Sequence, residues 1–353
     1  DQYAGLAPEE RLFSGELPEL ELWDAGEPSP QDLRRMAEAA EDAARAIPGV
    51  TNSEGAGAGA GAAVMALATS HGFAGAYAGT SRSLSASVVA GEGGNMQRDY
   101  GWRTARHGAD LPAPEDIGHL AGHRAVARLN PARVKSGPMP VVFDPRVGGS
   151  LIGHLVGAMS GSSIARRASF LLGREDEQLF DSAIAIVDDP LRLRGLRSRP
   201  FDGEGLVTGR RDLVAGGRLT GWLMDSASAR QLGMAPTGHA SRGGSGAPGV
   251  APSNLHLEPG QLSPAQLMAD IAEGVFITEL IGHGVNGVTG DYSRGASGFR
   301  IVNGEVCEAV AEFTIAGNLI DMFRGLTPAS DMEWHRSVNV PTIRVDGMTI
   351  AGD

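Results

Sequence analysis

Asp144-Pro145-Arg146-Val147-Gly148-Gly149-Ser150-Leu151-Ile152-Gly153-His154-Leu155-Val156-Gly157-Ala158-Met159 follows an apolar run at residues 139–143. The run reads as a strand and the quoted stretch as a turn and a helix, because Leu151, Leu155 and Ala158 recur at i, i+4 and i+7 on one face. The helical part carries one histidine, His154, and no carboxylate. What chemistry it supports turns on that composition.

The chain has 353 residues, 42% of them hydrophobic and 20% charged, enough for two globular domains. Fifty-one glycines and 5% aromatic residues point to many turns and closely approaching backbones. A formal charge of -12 disfavours a nucleic-acid groove, which needs clustered Lys and Arg, so neither DNA nor RNA is expected as a partner. The single cysteine, Cys307, excludes an internal disulfide and a cysteine-rich zinc site, and fits a reducing compartment. The apolar stretch at 62–79 is built from small residues and interrupted by Thr69, Ser70 and His71, which falls short of a membrane-spanning helix. A soluble protein with no membrane partner is expected. The chain starts at Asp1 and its first segment reads as the middle of a longer sequence, so a targeting peptide is not legible.

Residues 1–28 read as an extended lead-in. Ser29-Pro30-Gln31-Asp32 gives a cap, a first-turn proline and an acid three residues on, which predicts a helix over 30–47 ended by Pro48-Gly49. Residues 54–61 alternate glycine with alanine; without a Gly-Lys-Ser/Thr or a GxGxxG opening a helix, a flexible turn between strands is the better reading than a phosphate loop. Strands are predicted at 64–69, 75–80 and 84–90. A second helix runs from Pro114 to about Leu129, with Glu115 and Asp116 in its first turn. His119 and His123 lie four apart on it, a metal-ligand spacing with no third ligand nearby in sequence, and an exposed helix face is the commoner explanation. Lys135-Ser136-Gly137-Pro138 looks like a boundary between an N-terminal α/β domain, 1–135, and a C-terminal domain, 136–353.

In the second domain the expected strands are short: 169–172, 183–187, a hairpin of 205–214 with 219–224, then 275–281. Asn303-Gly304 joins 299–302 to 305–310 in the strongest hairpin signal of the chain, and Asp346-Gly347 is read as the turn of a last hairpin, 342–345 with 348–350. Helices are expected after Asp225-Ser226, after Ser263-Pro264 and over 318–324. The loop 235–252 is long enough for a lid, and an ordinary surface segment is equally compatible. The pattern predicts an α+β protein whose C-terminal domain is dominated by antiparallel, barrel-like sheet.

Several segments then converge on one family. Val142-Phe143-Asp144-Pro145, residues 197–205 (Arg-Ser-Arg-Pro-Phe-Asp-Gly-Glu-Gly), Ser253-Asn254-Leu255 with Pro259-Gly260, Gly287-Val288-Thr289-Gly290-Asp291-Tyr292-Ser293, Ala316-Gly317-Asn318-Leu319 and Pro341-Thr342-Ile343-Arg344 together resemble the TldD/PmbA family, also called modulators of DNA gyrase. The similarity covers nearly the whole chain. The resemblance implies two branches. TldD-type members carry a His-Glu-x-x-x-His helix and a distant cysteine on zinc and cleave peptides, while PmbA members, also called TldE, lack those ligands and assemble with a TldD subunit.

Laying the TldD helix on this one, anchored at Val156-Gly157, puts the first histidine at Gly153, the glutamate at His154 and the second histidine at Ala158. Glycine and alanine have no donor atom, and a histidine does not replace a carboxylate on water without changing the charge. Cys307 falls away from the segment where the TldD cysteine is expected and is read as a small packed residue. The resemblance therefore implies the PmbA/TldE branch, with no zinc in this chain and zinc only in a TldD-type partner. It further implies a cytoplasmic heterodimer acting on unfolded peptide, with a groove near His154, Asn254, Thr289, Gly290 and Asp291 that could hold strand backbone. For Asn254 and Asp291 the competing reading is that they cap their own loops. Two alternatives stay open: a stand-alone peptide-binding homodimer, and a hydrolase with a rearranged site using His154, His239, His256 or His283.

Overall fold

Ser29 opens the first helix, α1 (Pro30–Arg45), as its sequence predicts: its side chain accepts from the Asp32 amide, and Asp32 accepts from the Ser29 amide at 3.0 Å. In this computed structural model, which describes residues 2–243 and 246–353, β1 (Val50–Ala68) and β2 (Ala74–Ala90) follow as one long antiparallel hairpin. Next come β3 (Gln97–Ala105), on the other side of β2, and α2 (Pro114–Ala127). Leu84, Ala86, Val88 and Ala90 point to one face of β2 at the strand period of two, and pack on Ala40 and Ala44 of α1 and Ile117, Ala121 and Ala125 of α2.

Two expectations fail here for one reason. Residues 54–61 are the middle of β1, not a turn, and the three strands expected between 64 and 90 are parts of two. Gly57, Gly59 and Gly61 lie opposite Ser85, Ser83 and Ser81, and a Cβ at Gly59 would come within 2.8 Å of the Ser83 hydroxyl oxygen. The ladder with β2 overrides the weak strand propensity of glycine. The real turn is at 69–73, where the Thr69 amide donates to the Phe73 carbonyl at 2.9 Å and Gly72 sits at φ +96°.

The second half begins with β4 (Gly137–Phe143), α3 (Pro145–Met159) and α4 (Gly161–Ala165). Short elements follow: β5 (Ile186–Asp188), β6 (Arg211–Ala215), β7 (Arg218–Leu219), α5 (Ser226–Leu232), β8 (Ala240–Ser241), β9 (Gly249–Val250), β10 (Leu255–Leu257) and α6 (Pro264–Met268). Then come β11 (Glu273–Ile281), β12 (Asp291–Val302), β13 (Glu305–Asn318), α7 (Leu319–Arg324), β14 (Leu326–Pro328), β15 (Val338–Asn339) and β16 (Ile343–Ala351). Strands β13, β12, β11, β4 and β16 pair in that order, and β16 pairs again with β13 at Thr314–Ala351, which closes a five-strand barrel. A second sheet, β15-β10-β5-β6-β7, lies beside it. The fold is α+β with a β-barrel, as expected. Residues 244 and 245, inside the loop read as a lid or surface segment, lie outside the described residues.

Asn303 and Gly304 turn at φ 49° and 83°, the left-handed pair that a two-residue hairpin demands. Asp346-Gly347 instead forms a bulge: β16 continues through it, pairing with β4 on both sides of a register jump between Val345 and Met348. Residues 169–172 are a turn rather than a strand, because the Ser169 hydroxyl is spent donating to the Ala158 carbonyl and accepting from the Leu171 amide. Cys307 is exposed on β13 rather than packed.

The helices α1 and α2 touch through glycine. A Cβ on Gly118 would lie 2.1 Å from the Ala40 carbonyl oxygen, a backbone atom that moves only with its helix. Gly118→Ala is therefore expected to cost about 1–3 kcal/mol in urea unfolding; an unchanged midpoint would show that the two helices do not pack this closely.

Candidate functional site

The helix α3 is placed by its own first residues. The Asp144 amide donates to the Ile277 carbonyl of β11 at 2.9 Å, while its side chain caps the helix by accepting from the Arg146 amide at 2.8 Å. Arg146 then reaches Asp99 of β3 at 2.7 Å, and Arg128 at the end of α2 meets the same carboxylate at 3.4 Å. Asp99 is 4% exposed, so this is a buried charge cluster joining the N-terminal sheet to the barrel.

Leu151, Ile152, Leu155, Val156, Ala158 and Met159 bury one side of α3 in the main core. The other side is bare. Gly153 and Gly157 are exposed, and a Cβ at either would meet nothing within 4 Å. Between them His154 is half-buried, its ring edge-on to Tyr292 of β12 with centroids 6.2 Å apart. Burial, helped by the nearby Arg294, pulls the His154 pKa below its ordinary value. Burial pushes the Tyr292 hydroxyl up to about 12, against the opposing pull of Arg294. His154 Nε2, Tyr292 Oη and Arg294 Nε are buried, and none has a well-formed hydrogen bond among the described residues. Such orphans are costly unless something else satisfies them.

Thr289, Gly290 and Asp291 sit together at the start of β12. The Thr289 hydroxyl donates to Asp291 at 2.6 Å, and the Asn318 amide donates to the Thr289 carbonyl at 3.0 Å and to Asp291 at 3.2 Å. Those bonds hold the Asp291 carboxyl below the usual carboxylate range. Tyr292, the next residue, brings this turn to His154. Asn254 is elsewhere, just ahead of β10 in the second sheet. It is 1% exposed, its Oδ1 accepts from the Arg197 amide at 2.9 Å, and its Nδ2 donates to the Asp189 carbonyl at 2.7 Å and to Ser198 at 2.8 Å. Its amide is used up pinning the segment 189–198. Sequence reasoning missed Tyr292 and Arg294; their i, i+2 spacing beside the Thr289–Asp291 motif was the available signal.

The zinc fit fails on chemistry. At the three positions Gly153, His154 and Ala158 only His154 has a donor atom, and among the described residues no three His, Cys, Asp or Glu are grouped to hold a metal. The rings of His119 and His123 lie with centroids 6.5 Å apart, and no third ligand joins them among the described residues. His239 meets Asp188 at 3.2 Å, but Ser253 donates to that aspartate rather than to the histidine, and all three residues are at most 3% exposed. The order is Ser–Asp–His and no substrate reaches it, so it is a fastening of the 235–252 loop, not a nucleophile site. His256 meets Glu258 at 3.3 Å and stacks edge-on against Trp334, while His283 is exposed.

A sequence profile described as the PmbA/TldA metallopeptidase C-terminal domain matches residues 136–352, and one described as the central domain matches 23–129. The chain belongs to the PmbA/TldD family. It is 40% identical to "Metalloprotease PmbA" of Escherichia coli O157:H7, over 100% of this chain and 76% of that protein. A crystal structure of a candidate modulator of DNA gyrase from Bacteroides thetaiotaomicron superposes with a TM-score of 0.92 at 29% identity, covering 100% of this chain and 79% of that one. TldE of Thermococcus kodakarensis shares the fold, with a TM-score of 0.85 at 23% identity over 100% of this chain and 80% of that one.

Two outcomes follow from the α3 geometry. Gly153→Ala is expected to stabilise the fold by about 0.5–1 kcal/mol, since the added methyl meets no atom and removes backbone entropy from the unfolded chain; a loss of stability would mean the helix face is not open. His154 has its pKa lowered by folding, so its contribution is intact above its unfolded value of about 6.5 and is lost as pH falls below that. Urea unfolding between pH 7 and 5 is expected to show a shallower loss of stability for His154→Gln than for the parent chain, and parallel curves would contradict it.

Proposed function

We propose that this chain is the PmbA/TldE-type half of a TldD/TldE peptidase, working in cytoplasmic proteolysis or peptide maturation and contributing a peptide cleft rather than zinc. The observation that carries the reading is the pairing on α3 of an open glycine face with missing donors: the helix has room at Gly153 and Gly157, and nothing at Gly153 or Ala158 to bind metal. The name metalloprotease borne by the E. coli relative brings peptide-bond chemistry to the family. In the proposed complex the zinc that performs it sits in the TldD-type subunit.

On this reading an extended peptide runs over the bare face of α3. The half-buried His154 forms the floor beside Gly153 and Gly157, and the rim is formed by the Thr289-Gly290-Asp291 turn. Recognition through backbone makes the cleft tolerant of sequence, as unfolded substrates require. Association is supported by β1, which ends its sheet and leaves one edge unpaired, with Val64 69% and Met65 55% exposed at that edge. No helix among the described residues is long and apolar enough to cross a membrane.

The direct test is to mix the purified chain with a TldD-type subunit. The expected result is a heterodimer that cleaves unfolded peptide, with activity abolished when Gly153→Phe fills the cleft in this chain. A chain that stays apart and self-associates would favour the homodimeric binding protein instead.

A further inference from the structure

Between β3, the segment 189–198 and residues 333–339 lies a cavity of ≈ 180 Å³. Five arginines line it against one carboxylate, Asp110, in a chain whose formal charge is -12. Asp110 pairs with Arg194 at 3.1 Å, and Glu333, outside the lining, pairs with Arg103 at 3.0 Å. Among the described residues, no carboxylate oxygen comes within 4.0 Å of the guanidinium nitrogens of the other three, Arg106, Arg192 and Arg336. Arg106 is held by the carbonyls of Thr80, Gly195 and Leu196, dipoles that fix its place without cancelling its charge.

The remaining two are held by aromatic faces. Arg192 lies 3.3 Å over the Trp334 ring and Arg336 4.7 Å over that of Trp102, so both guanidinium planes are oriented while their terminal nitrogens donate to no protein group among the described residues. Arg336 donates its Nε to His335 Nε2 at 3.1 Å, which makes Nε2 the acceptor and leaves the proton on Nδ1. That Nδ1 is buried and makes no hydrogen bond, with a Glu333 carboxylate oxygen 3.5 Å away. Burial, together with Arg103, Arg336 and Arg124, pushes the His335 pKa down to about 3.

We propose that this cavity binds a carboxylate of the peptide, its C-terminus or an acidic side chain, with Arg192 and Arg336 as the fork. The inference rests on the peptide-cleft reading, and geometry joins the two sites. A second cavity, ≈ 520 Å³, shares Thr104, Leu196 and Arg336 with the first and reaches Gly149 and Ser150 of α3. A chain lying on the α3 face thus has an open route for one carboxylate into the arginine pocket. The pocket admits a small acid and not a polyanion, which agrees with the acidic balance of the whole chain.

The test uses the full chain and four otherwise identical peptides ending in Glu or Gln, each as free acid and as amide, titrated calorimetrically at low salt. Peptides with a carboxylate are expected to bind at least about tenfold more tightly than the neutral Gln amide. Arg192→Gln and Arg336→Gln should each remove most of that preference. The Gln free acid and the Glu amide separate the two sources. In parallel, glutarate should raise the His335 pKa followed by NMR. Equal affinity for all four peptides would overturn the carboxylate site and leave the cleft standing. No peptide binding, with a glutarate response that Arg192→Gln abolishes, would keep the carboxylate site and sink the peptide reading. Silence in both, or a response to inorganic phosphate but not to carboxylates, would overturn the proposal. If Arg336→Gln fails to fold, Arg192→Gln alone decides.

Discussion

Strand β4 is hydrogen-bonded on both sides, parallel to β11 and antiparallel to β16, and the position of everything functional follows from that. A one-residue slip would exchange Val141 and Phe143 of the main core with Val142, which packs on the other face against Met268, Ile271 and Ile301. Its last residue delivers the chain to Asp144, which bonds β11 with its amide and caps α3 with its side chain. The helix is therefore aimed by the barrel. Asp99 and Arg146 then tie its first turn to the N-terminal sheet across a buried ion pair, with Arg128 on the same carboxylate.

Given that aim, the sequence of α3 divides its labour cleanly. The apolar side packs into the barrel core, and glycine at 153 and 157 keeps the opposite side clear. A histidine between them faces a buried tyrosine and an arginine, and none of the three has its hydrogen bonding complete. Buried polar groups left open in this way lower stability unless something else satisfies them. A short distance away Trp334 and Trp102 face Arg192 and Arg336, which have no carboxylate oxygen within 4.0 Å among the described residues.

Local chemistry made much of this legible beforehand. The Ser29 capping box, the Asn303-Gly304 hairpin and the strand-turn-helix at 139–159 each follow from residues in contact with their own neighbours, and the family motifs supplied the barrel. What stayed hidden depended on partners distant in sequence. The glycine-alanine run became a strand only because β2 offered serines and a complete ladder opposite it. Asp346-Gly347 bulges because β4 pairs with β16 on both sides of it. At the site, His154 and the Thr289–Asp291 turn were visible as motifs, whereas Tyr292 joined them only through the fold. Asn254, grouped with them by motif, turns its amide inward to Asp189 and Ser198.

The proposed reading is that α3 presents an open face to peptide while its own positions offer no donor set for zinc. The most direct measurement is metal content after equilibrating the purified chain with equimolar zinc and removing what is loosely held. The account predicts well under one zinc per chain, unchanged by His154→Gln. One tightly held zinc per chain, lost in that variant, would contradict it.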